Sequence, residues 1–487
     1  MRDSKLVEIL QTITADEFKK LEKFAASSYF SAGRDLTHFI KILKTFHPDF
    51  SDKNFTMEYI YSKLYPERLE TGKVQQTIKT LSSELILTCK KFFRQIEFEK
   101  DINRQNYYLC NQLRVRKLYK EFDKEYKFSL EQLNNSNKGG INDFIEKYYS
   151  DSVFRDYSLD RDDFINAFEY TLAADENIVS AALMNCFMIE DTKNISAAYN
   201  LPLRYSLMNN VVDNVDTEKI LSQMKKNKDR FYPYVLIFYM IYKMNRHKDI
   251  REYFYELKNQ LIKNKNLFGQ SENYVFWNIL LSYCTKNSLK RQEFFSIYDY
   301  MLNNKIHKKS GEDFHIVLFR NIITVSADGG NFQWLEIFIE KYSGELHIDH
   351  RKNMYNFSYA HLYFAKGDFE AALAYLQKVS YDLFIFKMDV RILLLKIYYE
   401  LSYTEQSYSL LDSLLHFLKN TSEFSDSHKI ACRNFIYNFK ELLKLNLSKE
   451  INPHSISFLE KKIEGEITGN IGQNDWLLLK IAELKRK

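Results

Sequence analysis

The stretch that decides the fold is YAHLYFAKGDFEAALAYLQKV, residues 359–379. Two segments rich in alanine, leucine and tyrosine flank a Gly-Asp pair at Gly367 and Asp368. Gly367 can adopt the left-handed conformation that ends a helix, and the small Ala360 and Ala372 let two helices approach closely. The stretch therefore predicts two antiparallel helices joined by a tight turn.

The same stretch resembles the tetratricopeptide repeat, whose pattern is a small residue, a tyrosine, a Gly-Asp-aromatic turn, then alanine and an aromatic residue or leucine. The matching positions are Ala360, Tyr363, Gly367, Asp368, Phe369, Ala372 and Leu376. The next unit keeps Tyr398, Ser402 and Leu411 but has Ser407 in place of alanine. The resemblance implies stacked helical hairpins with a long concave surface for partner proteins.

Short polar breaks interrupt aromatic-rich helical segments at five places after residue 141. They lie at residues 243–249, 284–291, 326–331, 365–368 and 400–405. Taking Asn245, Asn287, Gly330, Gly367 and Ser402 as equivalent turn positions, the spacings are 42, 43, 37 and 35 residues. This is the period range of helical-hairpin repeats, so we expect at least five hairpins. An irregular helical bundle without true repeats is the alternative.

Composition also favours helices. The 487 residues include only 13 Gly and 5 Pro, fewer turn residues than a β-sandwich or a dinucleotide-binding enzyme of this length needs. Aromatic residues make up 16% of the chain and can fill a large core. The net charge of +5 is small for this length and does not demand nucleic acid. The sequence predicts an all-α fold.

The first 97 residues are expected to form a small helical domain. Thr14 and Glu17 have the spacing of a capping box that starts a helix. Further amphipathic helices are predicted at residues 36–46, 55–66 and 73–93, followed by one long helix at 104–133.

A second resemblance covers the two ends of the chain. Residues 17–50 and 57–93 resemble the start of a family of large helical proteins from bacteria of the Bacteroidota type, and residues 474–487 resemble its end. That family has no assigned activity, so the resemblance implies helical architecture and transfers no functional residue.

These patterns predict four parts. They are an N-terminal helical domain at 1–97, a connecting long helix and loop at 98–140, repeats like the tetratricopeptide at 141–455, and C-terminal capping helices at 456–487. The connecting loop is NNSNKGG, residues 134–140.

Targeting and redox signals favour the cytoplasm. The N-terminus carries charges among its apolar residues, so no signal peptide is expected, and no uninterrupted apolar run reaches the ~18 residues of a membrane span. No pair of cysteines has metal-ligand or redox spacing, so we interpret all five as reduced core residues: Cys89, Cys110, Cys186, Cys284 and Cys432.

Candidate catalytic or metal chemistry is sparse. The strongest cluster consists of His347, Asp349 and His350, with Glu312, Asp313 and His315 one repeat earlier. No HExxH or CxxC pattern supports a metal site, and the glycines near Gly139 lack the context of a phosphate loop. We expect no catalytic residue, no cofactor, no bound metal and no enzymatic activity.

Nucleic acid is the alternative partner. Residues 61–85 have the general look of a helix-turn-helix region. The possible contacts are Lys73, Gln75, Gln76, Lys79 and Thr80, with a basic stretch at Arg114, Arg116, Lys117 and Lys120. Three carboxylates oppose phosphate binding there: Glu67, Glu70 and Glu84.

The leading hypothesis is a non-enzymatic protein–protein interaction scaffold that binds partner peptides or helices on a groove, without a membrane. The alternative is a DNA-binding regulator with a sensor array. The sequence does not identify which residues bind the partner.

Overall fold

The computed structural model describes residues 4–30, 34–67, 71–136, 139–198, 201–202, 205–287, 289–380, 384–421, 426–448, 452–465 and 473–486. Throughout these ranges the regular elements are helices, and none is a strand. The all-α prediction is confirmed. The described chain divides into two compact units, Met1–Asn135 with Tyr149–Thr171, and Ser136–Tyr148 with Leu172–Lys487.

The helices of the first unit are α1 (Lys5–Gln11), α2 (Ala15–Ala26), α3 (Thr37–Lys44), α4 (Met57–Leu64), α5 (Val74–Lys100), α6 (Ile102–Val115) and α7 (Tyr119–Ser136). Two longer helices, α8 (Ile141–Leu159) and α9 (Phe164–Phe187), contribute residues to both units. The capping box is confirmed, since Thr14 accepts from the Glu17 amide and the Glu17 carboxylate accepts from the Thr14 amide. Helix α5 packs on α1, α2 and α4 around buried Ile78, Leu81 and Leu85.

The prediction of one long helix at 104–133 is wrong. Helix α6 ends at Val115 and α7 begins at Tyr119, because Lys117 takes a left-handed conformation with φ 59°. The Leu118 amide then donates to the Leu113 carbonyl at 2.9 Å, which is the hydrogen bond that terminates a Schellman motif. A lysine at this position gives no local signal of a break, since glycine is the usual residue there.

The second unit contains α10 (Ile189–Ala198), α11 (Leu207–Asn214), α12 (Thr217–Lys226), α13 (Tyr232–Arg246), α14 (Arg251–Lys263), α15 (Gln270–Lys286), α16 (Arg291–Asn303), α17 (Ile316–Asp328), α18 (Phe332–Tyr342), α19 (Ile348–Lys366), α20 (Phe369–Leu376), α21 (Phe384–Glu400), α22 (Thr404–Asn420), α23 (Asp426–Leu447), α24 (Pro453–Gly465) and α25 (Gln473–Leu484). From α13 to α24 each helix packs against the next one in the chain. In addition α19 packs against both α17 and α21, two positions away on either side.

Three of the five predicted turn positions are equivalent. Gly330, Gly367 and Ser402 are left-handed, with φ of 75°, 82° and 60°, and each is followed by one residue and then a new helix. The same left-handed turn therefore recurs at intervals of 37 and 35 residues. The other two positions are not equivalent to these. Asn245 is buried inside α13, so it is not a turn position, whereas Asn287 ends α15 as predicted for a turn but has a φ of −102° and is not left-handed.

The opening stretch forms the predicted pair, α19 and α20. Ala360 and Ala372 are completely buried, and the Asp368 carboxylate caps α20 by accepting from the Ala371 amide. In the next hairpin the buried Ser407 hydroxyl donates to the Tyr403 carbonyl at 2.9 Å. A serine is tolerated at the close helix contact because its hydroxyl is satisfied by the preceding turn of its own helix.

Candidate functional site

The histidine cluster does not form a metal centre in the described chain. His347 and His350 have ring centroids 5.8 Å apart, and His347 Nδ1 lies 3.3 Å from an Asp349 carboxylate oxygen at the exposed start of α19. Among the described residues no three His, Cys, Asp or Glu side chains are placed to hold one metal ion. Glu312 instead lies 3.9 Å from Lys309 in the preceding loop.

The glycines at 139–140 serve packing and capping. A side chain at Gly139 would overlap the Tyr234 ring, since an ideal Cβ would lie 2.4 Å from it. The Gly140 amide donates to the Asp143 carboxylate at 2.9 Å, at the start of α8. An amide already bonded to a carboxylate is not free to hold phosphate.

The predicted nucleic-acid residues divide into two groups. Lys73, Gln75, Gln76 and Lys79 are exposed near the start of α5. In the basic stretch Arg114 is 2.8 Å from Asp160 in an ion pair, whereas Arg116, Lys117 and Lys120 are exposed. Glu70 lies outside the described residues.

Three helices of the second unit form a concave site that the sequence did not reveal, called here the tyrosine groove. Helices α12, α13 and α14 line an open pocket of about 420 Å³. Its lining residues are Glu218, Leu221, Ser222, Lys225, Tyr232, Leu236, Tyr239, Met240, Lys243, Tyr253 and Glu256. Aromatic and aliphatic side chains with a few polar groups at the edge are the usual lining of a binding site.

Lys243 organises one wall of the tyrosine groove. Its ammonium lies 2.9 Å from a Glu218 carboxylate oxygen and over the rings of Tyr239 and Tyr253, 5.8 and 5.3 Å from their centroids. The Tyr239 hydroxyl donates to the same carboxylate at 3.1 Å. These contacts link the two tyrosine rings to one lysine side chain and favour their observed orientation.

The electrostatics of this wall follow from those contacts. The hydrogen bond with Glu218 raises the pKa of Lys243, and the bonds from Lys243 and Tyr239 lower the pKa of the Glu218 carboxyl. Burial raises the pKa of Tyr239 to about 12, so its hydroxyl stays protonated at neutral pH. The wall therefore holds a charged Lys243–Glu218 pair beside a neutral phenol at neutral pH.

A second polar cluster lies inside the same unit, across α17, α19 and α21. The Arg320 guanidinium is paired with the Asp389 carboxylate through its Nε at 2.7 Å and through its Nη2. Lys396 is buried and lies over the Trp476 ring, 5.6 Å from its centroid. The His361 Nε2 atom is buried without a hydrogen-bond partner.

The pH dependence of stability tests this cluster. Burial, with Lys396 and Arg320 nearby, lowers the pKa of His361 to about 3. Between its unfolded pKa of ~6.5 and this value the unfolded chain binds a proton that the folded chain excludes, so stability falls as pH falls. From pH 7 to pH 5 we expect this residue to remove about 2 kcal/mol of unfolding free energy. Urea denaturation at both pH values should show a smaller loss for His361→Leu than for wild type, and equal losses would contradict the assignment.

One described helical stretch, Phe164–Ala197, is long and apolar enough to cross a membrane by length and composition. It is less than half buried, and the test is a weak one because core helices of soluble proteins also pass it. The stretch carries Glu169, Asp175 and Glu176, which are expensive to place in lipid.

In the sequence, the tyrosine groove is recognisable only by the apolar composition of one of its helices. The segment from Tyr234 stands out as the most apolar stretch, and Tyr239 and Lys243 belong to it.

Comparisons with protein-family models, with curated proteins and with solved structures found no match for this chain.

Proposed function

We propose that this chain is a non-enzymatic scaffold that binds partner peptides or helices in the cytoplasm, without a cofactor. The observation that carries the proposal is the tyrosine groove. Among its lining residues, Leu221, Leu236 and Met240 are buried or half-buried and would accept apolar side chains, while Lys225 and Glu256 are exposed and carry opposite charges. A peptide with a bulky apolar residue between an acidic and a basic one would match both features.

In this proposal the second unit is a solenoid of hairpins like the tetratricopeptide repeat, within residues 141–455. Support comes from the repeated left-handed turns at Gly330, Gly367 and Ser402 and from the packing of α19 on both α17 and α21. The C-terminal helices at 456–487 then close the array. Trp476 of α25 fits that role, since its ring stacks on Phe439 with centroids 5.8 Å apart.

Substitution of a groove tyrosine tests the function. Tyr253→Ala should reduce recovery of specific partner proteins from native lysate by about tenfold, because aromatic anchors dominate binding energy. Tyr255→Ala is the matched control, since Tyr255 lies on the same helix but does not line the groove. Quantitative mass spectrometry compares the proteins captured by wild type, Tyr253→Ala and Tyr255→Ala. Identical profiles for all three would reject the groove as the partner site.

The alternative, a DNA-binding regulator, rests on the exposed Lys73, Gln75, Gln76 and Lys79 near the start of α5. It would replace the scaffold if the full chain bound duplex DNA with affinity that falls steeply with salt and if Lys73→Glu with Lys79→Glu removed that binding. Absence of such binding would leave the scaffold as the better description.

A further inference from the structure

The hairpin between α8 and α9 presents large apolar side chains to solvent. The set consists of Leu159, Phe164, Ile165 and Phe168 and is called here the α9 patch. Ile165 is 80% exposed and Phe168 is 61% exposed, whereas Ala167 between them is 4% exposed. The first turns of helix α9 thus direct a small residue toward the interior and Phe164, Ile165 and Phe168 outward, the reverse of an ordinary surface helix.

Aromatic side chains outside the α9 patch fill the core on the interior side of this hairpin. The Tyr170 ring packs against Phe154 and Tyr126, with centroids 4.3 and 6.4 Å away. Buried Phe122 stacks on Tyr157, with centroids 3.9 Å apart. The patch side chains therefore add little to the core of the first unit, and their exposure needs another reason.

Carboxylates outnumber cations in the segment that carries the α9 patch. Residues 159–170 contain Asp160, Asp162, Asp163 and Glu169 against a single arginine. That arginine, Arg161, donates to the Tyr157 hydroxyl at 2.6 Å, and Arg114 pairs with Asp160 at 2.8 Å. The surface around the apolar side chains is consequently acidic.

We propose that the α9 patch docks a basic amphipathic helix of another protein, as a second interaction surface independent of the tyrosine groove. Phe164, Ile165 and Phe168 have the i, i+1, i+4 spacing of one helical stripe, which suits an apolar helix face. Lysines or arginines beside that apolar face would meet Asp162 and Glu169.

The same charges disfavour two other occupants. An anionic membrane surface is repelled by carboxylates, and burying them in lipid is costly. A second copy of the chain, docked patch to patch, would bring Asp162, Asp163 and Glu169 of both copies together, and like charges in contact oppose association.

Fluorescence anisotropy with a designed probe tests the proposal. The probe is a labelled amphipathic peptide of about 18 residues with leucines on one face and lysines on the other. A matched peptide carries glutamate in place of lysine. Full-length wild type should bind the lysine peptide at least about tenfold more tightly than the glutamate peptide at low salt.

Two sets of variants locate the binding. Ile165→Ser with Phe168→Ser should weaken the lysine peptide at least about tenfold, and Asp162→Asn with Glu169→Gln about threefold at low salt only. Leu87→Ser, an exposed leucine on α5, is the control and should bind as wild type does. Circular dichroism checks that each variant is folded. If the variant Ile165→Ser with Phe168→Ser does not fold, binding by the variant Asp162→Asn with Glu169→Gln decides the test.

Three results would overturn the proposal. One is equal binding of the lysine and glutamate peptides, and another is binding that survives both patch variants. The third is patch-dependent binding to vesicles of phosphatidylcholine with phosphatidylserine, or patch-dependent self-association in light scattering, either of which assigns the patch to a different occupant.

Discussion

Replacing Phe338 with alanine should lower the free energy of unfolding of the second unit by about 3–5 kcal/mol. Phe338 is 2% exposed and lies at the centre of an aromatic cluster in α17 and α18. Its ring centroid is 4.9 Å from that of Phe319, 5.3 Å from that of Tyr342 and 5.5 Å from that of Trp334. Alanine would leave a cavity that these rings cannot fill without leaving their packed positions.

Ile337 provides the control for this substitution. It precedes Phe338 on the same helix and is 60% exposed, so Ile337→Ala should change stability by less than about 0.5 kcal/mol. Tryptophan fluorescence during urea denaturation reports on this unit alone, because Trp277, Trp334 and Trp476 all belong to it. Equal effects of the two substitutions would mean that the aromatic cluster is not a well-packed core.

Asp389→Leu should be comparably damaging, with a loss of about 3–5 kcal/mol. The Arg320 guanidinium of α17 and the Asp389 carboxylate of α21 pair in a nearly buried environment. Removing the carboxylate leaves a cation buried without its partner. A leucine of similar volume keeps the packing, so the loss reports on the charge.

The double variant Arg320→Met with Asp389→Leu distinguishes the contribution of the ion pair from the cost of leaving one buried charge unpaired. It should recover most of the lost stability, because a buried ion pair contributes little more than well-packed apolar residues do. Additive losses in the double variant, measured by the same fluorescence transition, would show that the two side chains do not act on each other.

Some structural details could be predicted from local chemistry alone. The capping box at Thr14 and Glu17 and the left-handed Gly367 depend on residues within a few positions of each other, and the structure contains both. Prediction from the local sequence failed where a residue other than glycine takes the left-handed conformation that ends a helix. Lys117 terminates α6 in the conformation expected of glycine, so the predicted long helix was wrong.

The predicted turn positions also show where prediction from the local sequence fails, because a polar residue between apolar segments does not always lie in a loop. Asn245 and Asn287 are polar residues between apolar segments, which is the pattern of a loop. Asn245 is nonetheless buried in α13, where its side-chain oxygen accepts from the Asn194 amide at 3.1 Å. That hydrogen-bond partner of the oxygen lies 51 residues away, so it cannot be recognised from the neighbouring sequence.

The sequence by itself determined that the chain is helical and where one well-formed hairpin lies, because apolar spacing, capping and glycine conformation act over a few residues. Only the tertiary structure decided which faces are buried. It placed Tyr239 and Tyr253 of separate helices on one groove and left Ile165 and Phe168 in solvent. The physical reason is that exposure depends on how helices pack against one another, and a helix with several apolar faces does not specify which face its neighbours will cover.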